Sequence, residues 1–474
     1  MRKSLKKVLA GVCCLTMLWG MAACSEPGDE PVEGKDVTVT VAPTKEPEAT
    51  PTEVPTKAPE ATVAPTKEPE ATVAPTDAPE PTVAPTETPE ETGTIMEAAE
   101  KLGFSFGTGV GAWDAQSLDT RMRLMDDFNS ITATNEMKAY SMLDQNASKY
   151  NPSGMPVIDY TQADGIVSLA ELLGIGVRGH VLVWDAYMVD WFFREGYSSD
   201  GEFVDRETML IRLEYYIDQV ITHFETEFPG VVYCWDVVNE AVGDSEEDYD
   251  DSDARHIRTL RGDEENYFYE VIGDDYVELS FLYASNTVAK LKKQNPETSI
   301  TLFYNDYNTF LPEKRDAICE VVKSINSYAK NADGSYRKLC EGVGMQSYIG
   351  GYGEQAGCMN PDDIELIRTA IEKYHVLGVE VHVTEMAVRN YDEEMIAEHA
   401  EFYADLFEMY AEVNAKEPVI TNISIWGLKD YPDMDENNYS YKQNSPYCGL
   451  WDENNKKKDA YYKVLEVLQQ AAGE

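Results

Sequence analysis

From about residue 105 onward, short apolar runs alternate with longer stretches whose apolar positions recur every three to four residues. The runs lie at 105–110, 130–135, 176–184, 231–240, 299–305, 342–348, 379–385 and 422–428. Several are almost continuously apolar, as expected of parallel strands covered on both faces. The stretches between them, such as 209–225, 276–293, 364–375 and 395–413, carry the stripe of amphipathic helices. Strand–helix alternation at this count predicts an α/β fold, a (β/α)8 TIM barrel. An open doubly wound sheet is the structural rival. The absence of GxGxxG and GxxxxGK turns weighs against its nucleotide-binding forms. Segments 244–265 and 331–338 read as surface loops.

The pattern before residue 95 is different. Arg2, Lys3, Lys6 and Lys7 precede an apolar run over 8–20, the order of an export signal. Met21-Ala22-Ala23-Cys24 then resembles a bacterial lipobox, which would make 1–23 a lipoprotein signal and Cys24 the lipid-bearing first residue of the mature chain. Pro, Thr, Glu, Ala and Val dominate from there to residue 94. The decapeptide at 55–64 recurs at 65–74 and degenerates through 75–84. Such a repeat is too polar and proline-rich to pack a core and is expected to be an extended spacer of roughly 3 Å per residue. The catalytic domain is then expected over 95–474.

Composition narrows the partners. The 474 residues carry a formal net charge of −47 and are 43% hydrophobic. Nucleic acid and anionic lipid would be repelled, whereas a neutral substrate would not. Five cysteines lie beyond Cys24: Cys234, Cys319, Cys340, Cys358 and Cys448. Their odd number and spacing predict buried thiols rather than a disulfide framework or a zinc site, with a Cys319–Cys340 bridge left open.

Candidate chemistry lies at the C-terminal ends of the runs, where barrel active sites form. The fourth run ends in Trp235-Asp236-Val237-Val238-Asn239-Glu240 and the seventh in Val381-His382-Val383-Thr384-Glu385. A carboxylate directly after a buried apolar run is costly unless it has a partner or a task. Two of them at one barrel mouth suit glycosidic bond cleavage, in which one carboxyl protonates the leaving oxygen and the other acts ionised. Retention of configuration requires the pair to stand about 5–5.5 Å apart, which sequence spacing alone does not fix.

Thr132-Ala133-Thr134-Asn135-Glu136-Met137-Lys138, Arg178-Gly179-His180-Val181-Leu182-Val183-Trp184, Trp235 to Glu240, Asn305-Asp306-Tyr307-Asn308, Gly344-Met345-Gln346-Ser347 and Val383-Thr384-Glu385 stand in the order found in family-10 glycoside hydrolases. The chain resembles that family, mainly endo-β-1,4-xylanases, over essentially all of 95–470. The resemblance implies a retaining double displacement without metal or cofactor, with Glu240 as general acid/base and Glu385 as nucleophile. It implies that Asn239 bonds the sugar 2-hydroxyl and that Asn135, Lys138, His180, Trp184, Gln346 and Trp426 line the glycone subsites. Asp236, Asn305 and Asp306 are expected behind them, fixing the catalytic groups. It also implies a β-linked polysaccharide such as xylan as substrate. The chain is expected to be a monomer whose membrane contact is the lipid anchor at Cys24.

Five positions depart from the family pattern. Thr134 stands for Glu, Asp185 for His, Tyr348 for the His beside the nucleophile, Ala387 for the Asp that supports that His, and Met434 for a second Trp. Most of these changes fall on the glycone side. They predict retained catalysis with altered xylan recognition, and Tyr348 is expected to donate its phenolic hydrogen to Glu385. A different β-glycan or plant glycoside is therefore kept as a second reading. A non-catalytic glycan-binding barrel is kept as a third, although the intact glutamates argue against it.

Overall fold

The structure is a computed structural model that describes residues 93–350, 359–432 and 445–473. Cys24, the signal, the repeat spacer, Cys358 and Met434 lie outside the described residues. Eight parallel strands close on themselves: β1 (Ser105–Val110), β2 (Ser130–Ala133), β3 (Gly176–Gly179), β4 (Val232–Asn239), β5 (Thr301–Asp306), β6 (Gly342–Met345), β7 (Glu380–Val388) and β8 (Ile420–Ile425). β6 pairs with both β5 and β7, and β8 pairs with β1, so the barrel has no open edge. The open-sheet alternative is thereby excluded.

Each strand is followed by a helix: α1 (Leu118–Asp127), α2 (Thr161–Leu173), α3 (Arg206–Glu227), α4 (Tyr276–Gln294), α5 (Pro312–Tyr328), α6 (Asp362–Val376), α7 (Ile396–Lys416) and α8 (Asp459–Ala472). Local sequence sets their ends. Asp205 caps α3 by accepting from the Thr208 amide at 2.7 Å. Pro312 opens α5, where its missing N–H costs nothing. A short helix, Ile95–Lys101, precedes β1 and is closed by a capping box between Thr94 and Glu97. It begins where the repeat composition stops.

Several strands end earlier than the apolar runs suggest. β2, β3 and β6 are regular only to Ala133, Gly179 and Met345, although Thr134, Val183 and Gln346 still bond to the neighbouring strand. The residues beyond these ends are still buried because they line the mouth of the barrel; Thr134, His180, Val181, Leu182, Val183 and Gln346 are all covered. Apolar patterning reports burial, and here burial outlasts strand geometry.

The barrel interior is unusually polar. Arg178 on β3 forms a bidentate ion pair with Asp236 on β4, both fully buried. Burial opposes the charge on Asp236, yet Arg178 and His180 outweigh it and hold the carboxyl below its ordinary range. Arg178 Nε also donates to His382 Nδ1 on β7 at 3.1 Å, so one guanidinium ties three strands. Cys234, Cys319, Cys340 and Cys448 are free, buried thiols. The Cys319–Cys340 bridge does not form: Cys319 sits on α5, whereas the Cys340 thiol donates to the Gly342 carbonyl at 3.3 Å.

Candidate active site

Glu240 follows the last residue of β4 and takes φ +55°, a left-handed conformation that costs a non-glycine residue about 1–3 kcal/mol. Its amide donates to the Asn305 carbonyl at 2.9 Å, which fixes the turn. The bend directs the carboxylate into a covered position, 7% exposed. Oε1 accepts from Gln346 Nε2 at 2.9 Å and Oε2 from Arg261 Nη1 at 3.0 Å. Burial raises the pKa of this carboxyl above the ordinary range. Arg261, Gln346 and Lys314 oppose the rise, and Asp306 adds to it. A carboxyl disposed to keep its proton suits a general acid.

Glu385 lies within β7 and is equally covered. Asn305 Nδ2 donates to its Oε1 at 3.3 Å, and the Tyr348 hydroxyl donates to its Oε2. The hydrogen bond expected of Tyr348 is therefore present. It arises because Tyr348–Ile349 pairs in parallel with Ala387–Val388, so that the small Ala387 lies opposite Tyr348.

The two glutamates are joined by a chain of amides. Asn305 Nδ2 donates to Asn239 Oδ1 at 2.8 Å as well as to Glu385. Gln346 Nε2 reaches Asn239 Oδ1 at 3.3 Å as well as Glu240. Asn305 is itself oriented by Thr384, whose hydroxyl donates to Oδ1 at 2.8 Å. Gly344 makes room for it, since a Cβ there would stand 2.2 Å from Asn305 Oδ1. Both accepted bonds fall on the Asn239 oxygen, and its buried Nδ2 donates to nothing among the described residues. An unpaired buried donor costs about 1–3 kcal/mol, and at a barrel mouth it is available to a substrate hydroxyl.

Lys138, Asn135, Trp184 and His180 form the adjoining wall. Lys138 Nζ donates to Asn135 Oδ1 at 3.1 Å and sits 5.0 Å from the Trp184 ring and 4.3 Å from the Tyr187 ring. Burial lowers its pKa to about 8 against the pull of Glu385, Glu240 and Glu136. Trp184 packs edge-on to His180 at 5.7 Å, and its buried indole N–H has no partner among the described residues. His180 donates from Nδ1 to Asp236 at 2.8 Å, which fixes the ring. Trp426, beyond β8, lies against Gly109, where a Cβ would come within 2.9 Å of the indole, and beside Thr134 in a small cleft. Asp306 accepts from Tyr304 at 2.6 Å and pairs with Lys314 at 3.0 Å, behind Glu240. Gln346, expected to face the sugar, also donates from Nε2 to Glu240.

The charged segment 244–265 is more than the surface loop its composition suggests. Arg258 is buried, donates to the Glu240 and Val242 carbonyls and pairs with Asp244 at 2.8 Å. Arg261, on a short ribbon formed by Leu260–Arg261 and Glu264–Glu265, pairs with Asp185 through two bonds of 2.9 and 2.7 Å. Sequence reading missed both arginines. The available signal was a run of basic residues, Arg255, Arg258 and Arg261, inside an otherwise acidic stretch.

Against known proteins, the model of glycosyl hydrolase family 10 matches residues 94–467. The chain belongs to that family. An endo-1,4-β-xylanase of Geobacillus stearothermophilus is 32% identical over 305 residues, 62% of this chain and 77% of that protein. Endo-1,4-β-xylanase A of Thermotoga maritima is 34% identical over 356 residues, 72% of this chain and 28% of that one. The chain likewise spans 52% of the endo-1,4-β-xylanase B of Butyrivibrio fibrisolvens. Among solved structures, a Clostridium thermocellum endo-1,4-β-D-xylanase carrying a family-10 module, complexed with xylohexaose, aligns with a TM-score of 0.66 at 26% identity, covering 80% of this chain and 68% of that one. As a family-10 member the chain is a glycoside hydrolase built on a (β/α)8 barrel.

Proposed function

We propose that this hydrolase cleaves β-1,4-xylosidic bonds within xylan by retaining double displacement, with Glu240 as acid/base and Glu385 as nucleophile. One observation carries the assignment. The two carboxylates are linked through Asn305, Asn239 and Gln346, and the Asn239 donor between them has no partner among the described residues. In the first step a Glu385 oxygen bonds to the anomeric carbon as the glycosidic C–O bond breaks, and the leaving oxygen takes the Glu240 proton. In the second, Glu240 takes a proton from water, whose oxygen displaces Glu385 from the sugar. Asn239 would donate to the 2-hydroxyl, Lys138 and Asn135 to hydroxyls further along the glycone, and Trp184 and Trp426 would supply flat faces for pyranose C–H groups. The endo-xylanase names of the relatives and their identity to this chain support the substrate class.

Reducing-sugar release from xylan, glucuronoxylan, mixed-linkage glucan and mannan tests this, with Glu385→Ala as control. Release from xylan that disappears in the control supports the proposal, whereas an inverted product would sink the double displacement. Thr134 beside Trp426 favours a second reading, the same mechanism on another β-glycan or a plant glycoside; activity on glucan or mannan alone would select it. Binding without hydrolysis would select a glycan-binding protein. Surface attachment through Cys24 belongs to the same proposal and rests on the lipobox resemblance; labelled palmitate incorporated by the intact chain but not by Cys24→Ser tests it.

A further inference from the structure

Both oxygens of Glu240 are occupied by donors, Gln346 on Oε1 and Arg261 on Oε2. A general acid must present a proton from one of them to the leaving oxygen, and that proton competes with the donor on the same oxygen. Gln346 is buried and also held by Asn239. Arg261 is different. Its side chain is 26% exposed, it enters from the ribbon after β4, and its Nε and Nη2 are already committed to Asp185. The guanidinium therefore bridges Glu240 and Asp185, and Asp185, one of the departures from the family pattern, can hold it without help from the Glu240 carboxylate.

We propose that Arg261 is a positioning residue that governs the acid/base, and that Asp185 is the counterweight that takes the guanidinium while Glu240 carries its proton. The proposal rests on the acid/base role given to Glu240 above. Before the first step Glu240 is neutral and Arg261 is satisfied by Asp185. Proton donation leaves a carboxylate, and Arg261 at 3.0 Å stabilises it until water returns a proton in the second step. Burial disfavours the charge on Arg261, but Asp185 and Glu240 outweigh that and hold it charged.

Other charged or titratable groups face this pair. Asp306 on β5 and Lys314 on α5 act on Glu240 with opposite signs. Arg258 and Tyr307 flank Arg261. Tyr276 on α4 adjoins Asp185. Lys138, on the adjoining wall, feels both Glu385 and Glu240. A basic limb in the pH profile could thus come from Glu240 or from Lys138. They are separable, because only the limb of Glu240 disappears when the leaving group needs no protonation.

The experiment is kcat/KM against pH for the full chain, on aryl β-xylobiosides with a poor and with an activated leaving group. With the poor leaving group, Arg261→Gln is expected to move the basic limb up by about one pH unit, since an opposite charge this close favours the carboxylate. Asp185→Asn is expected to move it down, because the released guanidinium then bears on Glu240 alone. Arg261→Lys should restore the limb to near its starting position. The double variant, which leaves neither charge unpaired, should show the limb of Arg261→Gln and decides the question should a single variant not fold. A limb that stays fixed in the double variant, or that moves the same way in both singles, overturns the proposal. Glu240→Ala separates the two levels. A leaving-group-dependent limb that survives in it refutes the acid/base assignment itself, whereas one that vanishes there but ignores Arg261 and Asp185 refutes only the counterweight.

Discussion

The Tyr348 hydroxyl donates to Oε2 of Glu385 from a two-residue strand that runs beside the end of β7. The family pattern has His at position 348 and Asp at 387, and the structure shows how both can change together. Ala387 is directly opposite Tyr348 in the register, so the two departures are neighbours across one strand pair.

Tyr348→Phe tests that bond. A hydrogen bond to a charged group contributes roughly 1.5–3 kcal/mol. Its loss should lower kcat/KM on xylo-oligosaccharides about 10- to 150-fold. Tyr348→His, which restores a donor, should recover part of that loss. A Phe variant as active as the parent would mean that the bond is idle.

Asn239 Nδ2 has no partner among the described residues, and the proposed function assigns it the 2-hydroxyl of the sugar at the cleavage point. Such bonds strengthen in the transition state, and Asn239→Ala should cost roughly 2–3 kcal/mol of transition-state stabilisation. A 2-deoxy substrate should cost the parent enzyme a similar amount and the variant little more. Additive losses would show that the amide acts elsewhere.

Lys138 combines burial with a pKa lowered to about 8. The sign follows from the two states. Below pH 8 folded and unfolded chains both carry the proton, so the whole cost of burying the charge is present. Between about 8 and the unfolded value of 10.5 the folded amine is neutral while the unfolded one remains charged, and stability recovers as pH rises. Lys138→Met should therefore raise the unfolding free energy at pH 7 by roughly 1–2 kcal/mol and largely abolish activity. The stability gain should shrink at pH 10. Urea titrations at the two pH values measure it.

The barrel was legible because parallel strands buried on both faces leave apolar runs that only a covered sheet explains, and all eight runs became strands. Glu240 and Glu385 were legible for the complementary reason: a carboxylate at the end of such a run conflicts with its surroundings. Strand ends were less legible, since residues 180–183 stay buried after regular strand geometry ends at Gly179, with only a single bridge to β4 at Val183. Arg258 and Arg261 were illegible as site residues because a charged, strand-poor segment looks the same whether it faces water or folds back over the mouth. Only the long-range pairing of Arg261 with Asp185, 76 residues earlier, distinguishes the two cases.

Arg178 and Asp236 provide a test of the barrel itself. Their ion pair is enclosed on all sides, so neither charge has water to fall back on. Asp236→Asn leaves a buried guanidinium without its counter-charge and should destabilise by about 3–5 kcal/mol. Replacing both, as Arg178→Met with Asp236→Leu, removes the uncompensated charge and should cost much less than the sum of the two single changes. The pH dependence supplies an independent check. The folded pKa of Asp236 lies below its unfolded value, so its contribution is complete above about pH 4 and is lost as pH falls towards the folded value. The stability gap between the parent and Asp236→Asn should accordingly narrow below pH 4. A gap that stays constant to pH 3 would locate the effect of the substitution in packing rather than in charge.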